Sequence, residues 1–423
     1  MPVTFVVGSQ WGDEGKGRMV DYLSGSYDYV VRFNGSNNAG HTVINGFGKF
    51  ALHLIPSGIF YPKTKSCIAN GTLVDLESLI SEIDSLEKAG FNLNKRLLIS
   101  PRCHLIMPYH KILEKLYEEA LGKAKIGTTG RGNGPAYADK ISRNGLRIID
   151  LLNKKQFSEK LKIELSLKNK IIVALGGKAI DQKTIEKSFL SMLDKILPYI
   201  SEPFPQLQSA LKLDKNILLE GAQAIFLDND WGTYPFVTSS TVVPGGANAG
   251  SGIPPTKIDK IIGVVKAYAT RVGSGPFPTE LQDKDGVKLQ KDGAEFGVTT
   301  GRTRRCGWFD AEMVSFAAQI SGFTEIALTK IDVLDGFAEI KICTGYTLNG
   351  KKVNYYDGDA IFLENVKPAY KTIKGWKSST QGITNYQDLP TQAKQYIIEL
   401  EKQIGVRIKY ISTGPAREAI IVR

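Results

Sequence analysis

The residues best equipped for chemistry in this chain fall in four short stretches. The first is Gly8-Ser-Gln-Trp-Gly12-Asp13-Glu14-Gly15-Lys16-Gly17, set between an apolar run and a helical one. Glycines there let backbone N–H groups converge on a phosphate at a helix N-terminus, and Lys16 can reach the outer phosphates. The stretch departs from the standard GxxxxGK[ST] loop, which needs glycine at position 10 and a hydroxyl at position 17, where this chain has Gln10 and Gly17. With the magnesium-binding hydroxyl missing, Asp13 becomes the oxygen ligand on offer for a hard cation. An ordinary glycine-rich strand-to-helix turn would carry the same letters.

The second stretch is Thr329-Lys330-Ile331-Asp332, at the end of a strand-like run. In an [NT]KxD segment the aspartate can accept hydrogen bonds from guanine N1–H and from its exocyclic amine, a pair that adenine does not offer. Four-residue patterns recur by chance, but a phosphate loop on the same sheet turns this one toward GTP. Ser412-Thr413-Gly414-Pro415 could close over the same base or be a simple turn. The third stretch is the polar loop Asn34-Gly-Ser-Asn-Asn38-Ala39-Gly40-His41-Thr42. His41, between Gly40 and Thr42, is poorly placed to fill a core and is free to act as acid or base near neutral pH. The other three histidines read as structural: His53 lies in a strand-like run, and His104 and His110 frame Leu105-Ile-Met-Pro108. The fourth stretch, Gly297-Val298-Thr299-Thr300-Gly301-Arg302-Thr303-Arg304-Arg305, offers guanidinium groups beside hydroxyls, suited to carboxylate and phosphate. Thr128-Thr129-Gly-Arg131-Gly132 repeats the theme.

These stretches need a scaffold, and the pattern between them supplies one. Val3 to Val7 and Tyr29 to Phe33 read as buried strands, as do Leu97 to Ile99, Ile217 to Leu219, Ile261 to Val265 and Ile326 to Thr329. Between Asp75 and Ala89, Leu76, Leu79, Ile80, Ile83 and Leu86 recur at helical spacing before Gly90. Such alternation predicts an α/β fold with a largely parallel sheet. Residues 151–212, rich in Lys, Leu, Ile and Glu, read as a mostly helical insertion, and 338–356 as an antiparallel hairpin around Asn349-Gly350.

Bulk properties narrow the class. At 423 residues and 42% hydrophobic content the chain can bury a large core, and no linker or repeat divides it, so one elaborated domain is expected over 1–423. Lys and Arg exceed Asp and Glu by 54 − 43 = 11, which favours anionic partners. Cys67, Cys103, Cys306 and Cys343 form no CxxC pair and read as unpaired thiols of a reducing compartment. Without a signal-like amino terminus or a run of 18 apolar residues, a cytoplasmic chain with no membrane partner is expected.

Taken in order, GSQWGDEGKG, NAGHT, TTGRGNGPAY, LEGAQ, DWGTYPFVTSS, KAYATRVGSGPFPTEL, GVTTGRTRRCGW, TKID and STGP resemble the adenylosuccinate synthetase family across residues 1–423. The resemblance implies a central, mostly parallel sheet of P-loop-NTPase-like type wrapped by helices, in a homodimer. It also implies that GTP, IMP and L-aspartate become adenylosuccinate, GDP and phosphate through 6-phosphoryl-IMP, with one Mg²⁺ per subunit. By motif position the catalytic residues would be Asp13, His41 and Lys16, and Asp13 and the Gly40 carbonyl would hold the metal. GTP would contact Gly12 to Gly17, Gly40 to Thr42, Arg304, Lys330, Ile331, Asp332, Ser412, Thr413 and Gly414. IMP would lie against Asp13, Asn38, Ala39, Gly40, His41, Thr129, Gln223, Thr238 and Arg302, with Arg143 supplied by the neighbouring subunit. Aspartate would lie on Val298, Thr299, Thr300, Gly301, Arg302, Thr303 and Arg304. The sequence departs from the family pattern at Asn34 to Asn37, Ala224 to Phe226 and Thr241.

Two other readings compete. A regulatory GTPase explains GDEGKG and TKID but leaves His41 and the threonine-arginine loops without a role. A nucleic-acid-binding module explains the positive balance, yet there is no concentrated basic tail, zinc spacing or RNP-like aromatic motif, so no nucleic-acid partner is expected.

Overall fold

The computed structural model describes residues 3–296, 303–353 and 355–423, with backbone only at 42, 44 and 45. Its centre is a nine-stranded sheet made, in chain order, of β1 (Val3–Gly8), β2 (Tyr29–Arg32), β3 (Lys65–Ile68), β4 (Leu97–Ile99), β5 (Ile217–Ala224), β6 (Ile258–Lys266), β7 (Glu325–Thr329), β8 (Ile408–Ser412) and β9 (Ile420–Val422). Across the sheet they run β9-β8-β7-β6-β1-β5-β2-β3-β4. Every pairing is parallel except that of β8 with the edge strand β9. The mostly parallel α/β architecture expected from the alternation is therefore present, with four strands longer than their apolar kernels.

Both faces of a parallel sheet are covered, so its central strands are apolar throughout and their side chains alternate between two cores. Val3, Phe5 and Val7 join Val31, Phe33, Leu219, Val265 and Leu328 in one core, whereas Val6 joins Met19, Val20, Val30, Leu218, Val264 and Ala327 in the other. A third core packs Ile68 and Ile99 against the helices of the insertion. Helix Leu76–Lys88 starts where the Asp75 side chain accepts the Ser78 N–H at 3.2 Å and stops before Gly90, whose φ is 88°. Leu76, Leu79, Ile83 and Leu86 form its buried stripe, about 2 kcal/mol each on area grounds. Over 151–212 lie the helices Lys154–Ala174, Gln182–Ile196 and Pro203–Lys212.

The antiparallel hairpin is present too, with Asn349 and Gly350 both at positive φ (52° and 76°), as a type I′ turn requires. Its main partner is not the two-residue return strand Lys351–Lys352 but Lys367–Lys374, which pairs with Glu339–Leu348 over most of its length. That strand alternates only weakly in hydrophobicity, which is why its sequence does not announce it. His53 is a second correction: it lies just past the strand Gly48–Leu52 rather than within one. Cys67, Cys103, Cys306 and Cys343 are all buried and unpaired, and burial pushes the first three thiols up to about 12.

The carboxyl ends of β1, β2, β5, β6, β7 and β8 open on one edge, where the chemically equipped stretches gather. Gly71, in the turn after β3, packs against Phe33 at the end of β2, and its N–H donates to Gly250 O at 3.0 Å. A Cβ there would stand 1.9 Å from Phe33 O and 2.7 Å from Gly250 Cα, both backbone atoms. Gly71→Ala is therefore expected to cost about 3 kcal/mol or more in urea unfolding, at the upper end of overpacking effects; an unchanged midpoint would mean that this crossing is not tight.

Candidate active site

The loop after β1 ends in a stretch with three residues of positive φ, Gly12 (93°), Asp13 (62°) and Gly15 (91°), which turn the chain into helix Lys16–Ser24. Such a loop exposes N–H groups without sheet partners. The buried Glu14 carboxylate accepts two of them, from Gln10 at 3.2 Å and Gly12 at 2.8 Å, and pairs with Lys16 Nζ at 2.7 Å. Glycine is needed at position 8, since a Cβ would lie 2.3 Å from Glu14 Oε2. Gln10, the first departure from the standard loop, spans to the end of β6, where its side chain donates to Tyr268 O and accepts from the Lys266 N–H, each at 3.1 Å. Thr329 Oγ1 donates to Glu14 O at 2.6 Å, tying this loop to the segment that follows β7.

His41 packs against the start of the same helix: a Cβ on Gly17 would fall 2.6 Å from its own. Its Nδ1 lies 2.5 Å from Oε1 of Glu220, a carboxylate on β5 with no exposed surface. Glu220 also faces Arg32 Nη1 at 3.3 Å and accepts the Ser57 N–H at 2.9 Å. Burial lowers the His41 pKa against the opposing pull of Glu220. The Glu220 carboxyl is pushed up by burial, but His41 and Arg32 outweigh this and hold it below its usual range. Among the described residues neither buried ring nitrogen of His41 has a well-aligned hydrogen bond: Nδ1 has its close charge contact with Glu220, and Nε2 has no partner at all. Beside it, His53 Nδ1 lies 2.8 Å from Ala39 O, and Arg32 reaches Asn34 O at 3.1 Å and His53 O at 3.3 Å. Glu82 fixes that turn by accepting the N–H groups of His53, Leu54 and Ile55 at 2.9, 3.1 and 3.0 Å, and burial raises its carboxyl to about 7. His53 thus braces the Ala39-Gly40 peptide, a part its sequence context did not suggest. His110 does stay structural, 2.9 Å from Asp139.

On the far side of the loop, Lys330 takes the left-handed conformation (φ 60°) and its Nζ donates to Gly293 O and Glu295 Oε1, both at 2.7 Å. Ile331 is buried, and the Asp332 carboxyl is pushed up by burial, with a buried Oδ1 that has no partner among the described residues. Arg18, from the helix, donates to Ser412 Oγ and Gly414 O and so draws the Ser412 to Gly414 turn toward the phosphate loop. Its role escaped the sequence reading because an arginine one turn into a helix looks like a solvated face.

The remaining assigned residues divide into those brought together and those not. Gln223, at φ 60°, donates to Asn38 Oδ1 at 2.9 Å and keeps a buried Oε1 with no partner among the described residues. Thr238 is anchored through its N–H to Leu227 O at 2.8 Å, close in the chain to Phe226, whose N–H donates to Gln10 O at 3.1 Å. Thr129 stands exposed on the 125–132 loop, which Glu118 steadies by accepting the N–H groups of Ile126, Gly127 and Thr128 at 3.1, 2.8 and 3.3 Å. Arg143, the left-handed cap of helix Asn133–Ser142, is exposed. Arg304 reaches the phosphate loop, its Nε 2.6 Å from Asp13 Oδ2 and its Nη1 2.8 Å from Glu295 Oε2. Thr303 is exposed beside it, whereas Val298, Thr299, Thr300, Gly301 and Arg302 lie outside the described residues, and so does the Thr42 side chain. For a hard cation the edge offers the Asp13 carboxylate, 37% exposed and contacted by Arg304, and Gly40 is exposed as well. No group of three His, Cys, Asp or Glu side chains among the described residues could hold a metal alone.

A family model described as adenylosuccinate synthetase matches residues 5–421. The adenylosuccinate synthetase of Clostridium novyi is 47% identical over 423 residues, covering 100% of this chain and 99% of the relative. That of Pelodictyon phaeoclathratiforme is 49% identical, covering 99% and 97%. Among solved structures, a fully ligated adenylosuccinate synthetase from Plasmodium falciparum superposes with a TM-score of 0.94 at 37% identity, covering 100% of both chains.

Because Glu220 is the group that opposes burial at His41, Glu220→Gln is expected to lower the imidazole pKa further in a nitrogen-15 NMR titration; a rise would refute the pairing. The sign carries into stability. Folding favours the neutral ring, so His41 costs stability as the pH falls through its ordinary value of 6.5, and that acid-side loss should steepen in the variant.

Proposed function

The chain belongs to the adenylosuccinate synthetase family, GTP-dependent carbon–nitrogen ligases of purine biosynthesis, and from that premise we propose how its own residues carry the reaction. The observation that carries the reading is that His41 packs against the loop and helix that carry Asp13 and Lys16 above β1, while Asp332, on the adjoining loop, holds a buried acceptor with no partner among the described residues. Asp13 takes the N1 proton of IMP, so that O6 bonds to the γ-phosphorus of GTP as the bond from that phosphorus to the GDP oxygen breaks. The aspartate amine then bonds to C6, losing a proton, and phosphate departs with the former O6. An oxygen that leaves poorly is thus first converted to phosphate.

Each role has a physical ground. With Nδ1 against Glu220, His41 can donate from Nε2 only as imidazolium, which burial disfavours until anionic phosphates arrive; it becomes an acid when the nucleotides are in place. Lys16, held by Glu14, is kept at the loop's N–H groups, where a phosphoryl group gathers charge. Asp332 Oδ1 accepts from guanine, with Lys330, Ile331 and Ser412 to Gly414 around the base. Asn38 and Gln223, joined at 2.9 Å, hold IMP together with Ala39, Thr129, Thr238 and Arg302, and the loop from Val298 to Arg304 holds aspartate.

Asp13 and the Gly40 carbonyl would hold Mg²⁺: both are hard oxygen donors of the kind this ion takes, and both residues are solvent-accessible. When bound, it offsets the charge that develops on the transferring phosphoryl group. A homodimer is supported by the exposed apolar side chains close to Arg143 in sequence, Ile141 at 78% exposure and Ile149 and Leu152 at about half. We read residues 1–423 as one domain, with its helical insertion over about 151–212 and its hairpin over about 338–356. The unpaired thiols favour a cytoplasmic setting, and among the described residues no helix is long and apolar enough to cross a membrane.

Omitting IMP, aspartate, GTP or Mg²⁺ in turn while following ultraviolet absorbance tests the whole reading; turnover that persists without any one of them would reject it. Asp13→Asn is expected to lower kcat by roughly 10³-fold with unfolding unchanged, and normal kinetics would remove Asp13 as the base. Asp332→Asn should weaken GTP by roughly tenfold or more relative to xanthosine triphosphate. An unaltered base preference would displace the guanine pocket from this loop.

A further inference from the structure

We infer that Glu295, which no motif of the family reading includes, is a positioning residue for GTP: its carboxylate holds Lys330 of the base loop and Arg304 of the acceptor loop in one fixed arrangement. The inference rests on the reading that Lys330 and Arg304 face GTP.

Glu295 has no exposed surface. It follows helix Lys284–Asp292 through Gly293 and Ala294, the latter at φ 47°, and its backbone is pinned on both sides. Its N–H donates to Gln290 O at 2.9 Å, and its carbonyl accepts the Arg304 N–H at 2.9 Å. The side chain then gathers four donors from three segments of the sequence. Lys266 Nζ, at the end of β6, donates to its two oxygens at 2.9 and 3.0 Å. Lys330 Nζ donates at 2.7 Å, Arg304 Nη1 at 2.8 Å, and Tyr268 donates through its hydroxyl.

Three cations on one carboxylate are a strained company unless something fixes them. Lys266 is fully buried and cannot leave, whereas Lys330 is one-third exposed and could swing into water. Without the carboxylate, like charges a few ångströms apart would push the movable partners outward, since Coulomb repulsion in a poorly hydrated site is not screened. With it, the long side chains of Lys330 and Arg304 lose their rotamer freedom during folding rather than on ligand binding. Arg304 also touches Asp13 at 2.6 Å, and Lys330 is two residues from Asp332. One buried group therefore sets the spacing between base pocket and phosphate loop while reaching neither. The Asn38–Gln223 and Glu220–His41 pairs are built from other residues, so Glu295 bears on IMP only at one remove, through the contact of Arg304 with Asp13.

Glu295→Gln in the full-length chain, with each substrate varied in turn, is the test. The KM for GTP is expected to rise roughly tenfold or more, the size of a lost charge-assisted hydrogen bond, while that for IMP stays within about threefold. Glu295→Asp should recover part of the loss. A GTP KM within about twofold of the parent, or equal rises for all three substrates, would overturn the inference. Should Glu295→Gln fail to fold with Lys266 left unpaired, the double variant Lys266→Met/Glu295→Gln removes that ammonium, and the same kinetic criteria apply to it. Lys330→Ala separates the two readings. A raised GTP KM there, with none in Glu295→Gln, overturns the role of Glu295 alone. A raised KM in Glu295→Gln with none in Lys330→Ala sinks the placement of Lys330 at the base and leaves Glu295 acting through Arg304.

Discussion

A chain that leaves the middle of a parallel sheet and turns at once into a helix strands several backbone N–H groups where no strand can accept them. In this protein the Glu14 carboxylate accepts those of Gln10 and Gly12 and pairs with Lys16, so an internal anion organises the glycine-rich loop. Most of the site is built outward from that arrangement. Thr329 fastens the base loop to the Glu14 carbonyl, Gln10 fastens the end of β6, and Gly17 leaves the space that His41 fills. The loop is therefore the joint at which three otherwise separate segments are brought into register.

Electrostatics divides the edge of the sheet into two compartments, each organised by a fully buried glutamate. Glu220 gathers His41, Arg32 and the Ser57 N–H on the β2–β5 side. Glu295 gathers Lys266, Lys330 and Arg304 on the β6–β7 side. Asp13 lies between them, reached by Arg304 from one side. Buried ions contribute little net stability once desolvation is counted, and their use here is to fix long side chains in single orientations.

Much of this was legible in the sequence, because the segments proposed to touch phosphate and base are glycine-rich, short and set at strand ends. The apolar kernels of β1, β2, β4 and β7 were readable from hydrophobic runs, and the helix after Asp75 from its stripe and cap. What escaped is the supporting layer. Glu220 stood inside a quoted motif, LEGAQ, yet nothing local distinguishes a carboxylate that orients a histidine 179 residues away from one that faces water. Glu82 and Arg18 look like the polar face of amphipathic helices, and His53 looks like a strand residue; their partners are set by tertiary folding alone. The departures from the family pattern gain a meaning only in three dimensions. Asn34 accepts the Ala222 N–H at 2.9 Å and donates to Thr241 O at 3.0 Å, so two of the unusual positions meet in one contact.

The four unpaired cysteines sit in different layers of packing. Cys67 and Cys306 lie in the largest core, Cys103 in the core beneath the helical insertion, and Cys343 in the small cluster under the hairpin. A buried, protonated thiol does not react with alkylating reagents until its layer opens. The molecule thus carries its own set of timed labels: mass spectrometry of iodoacetamide adducts, followed against denaturant, would read the order in which sheet, insertion and hairpin come apart, with no probe added by mutation.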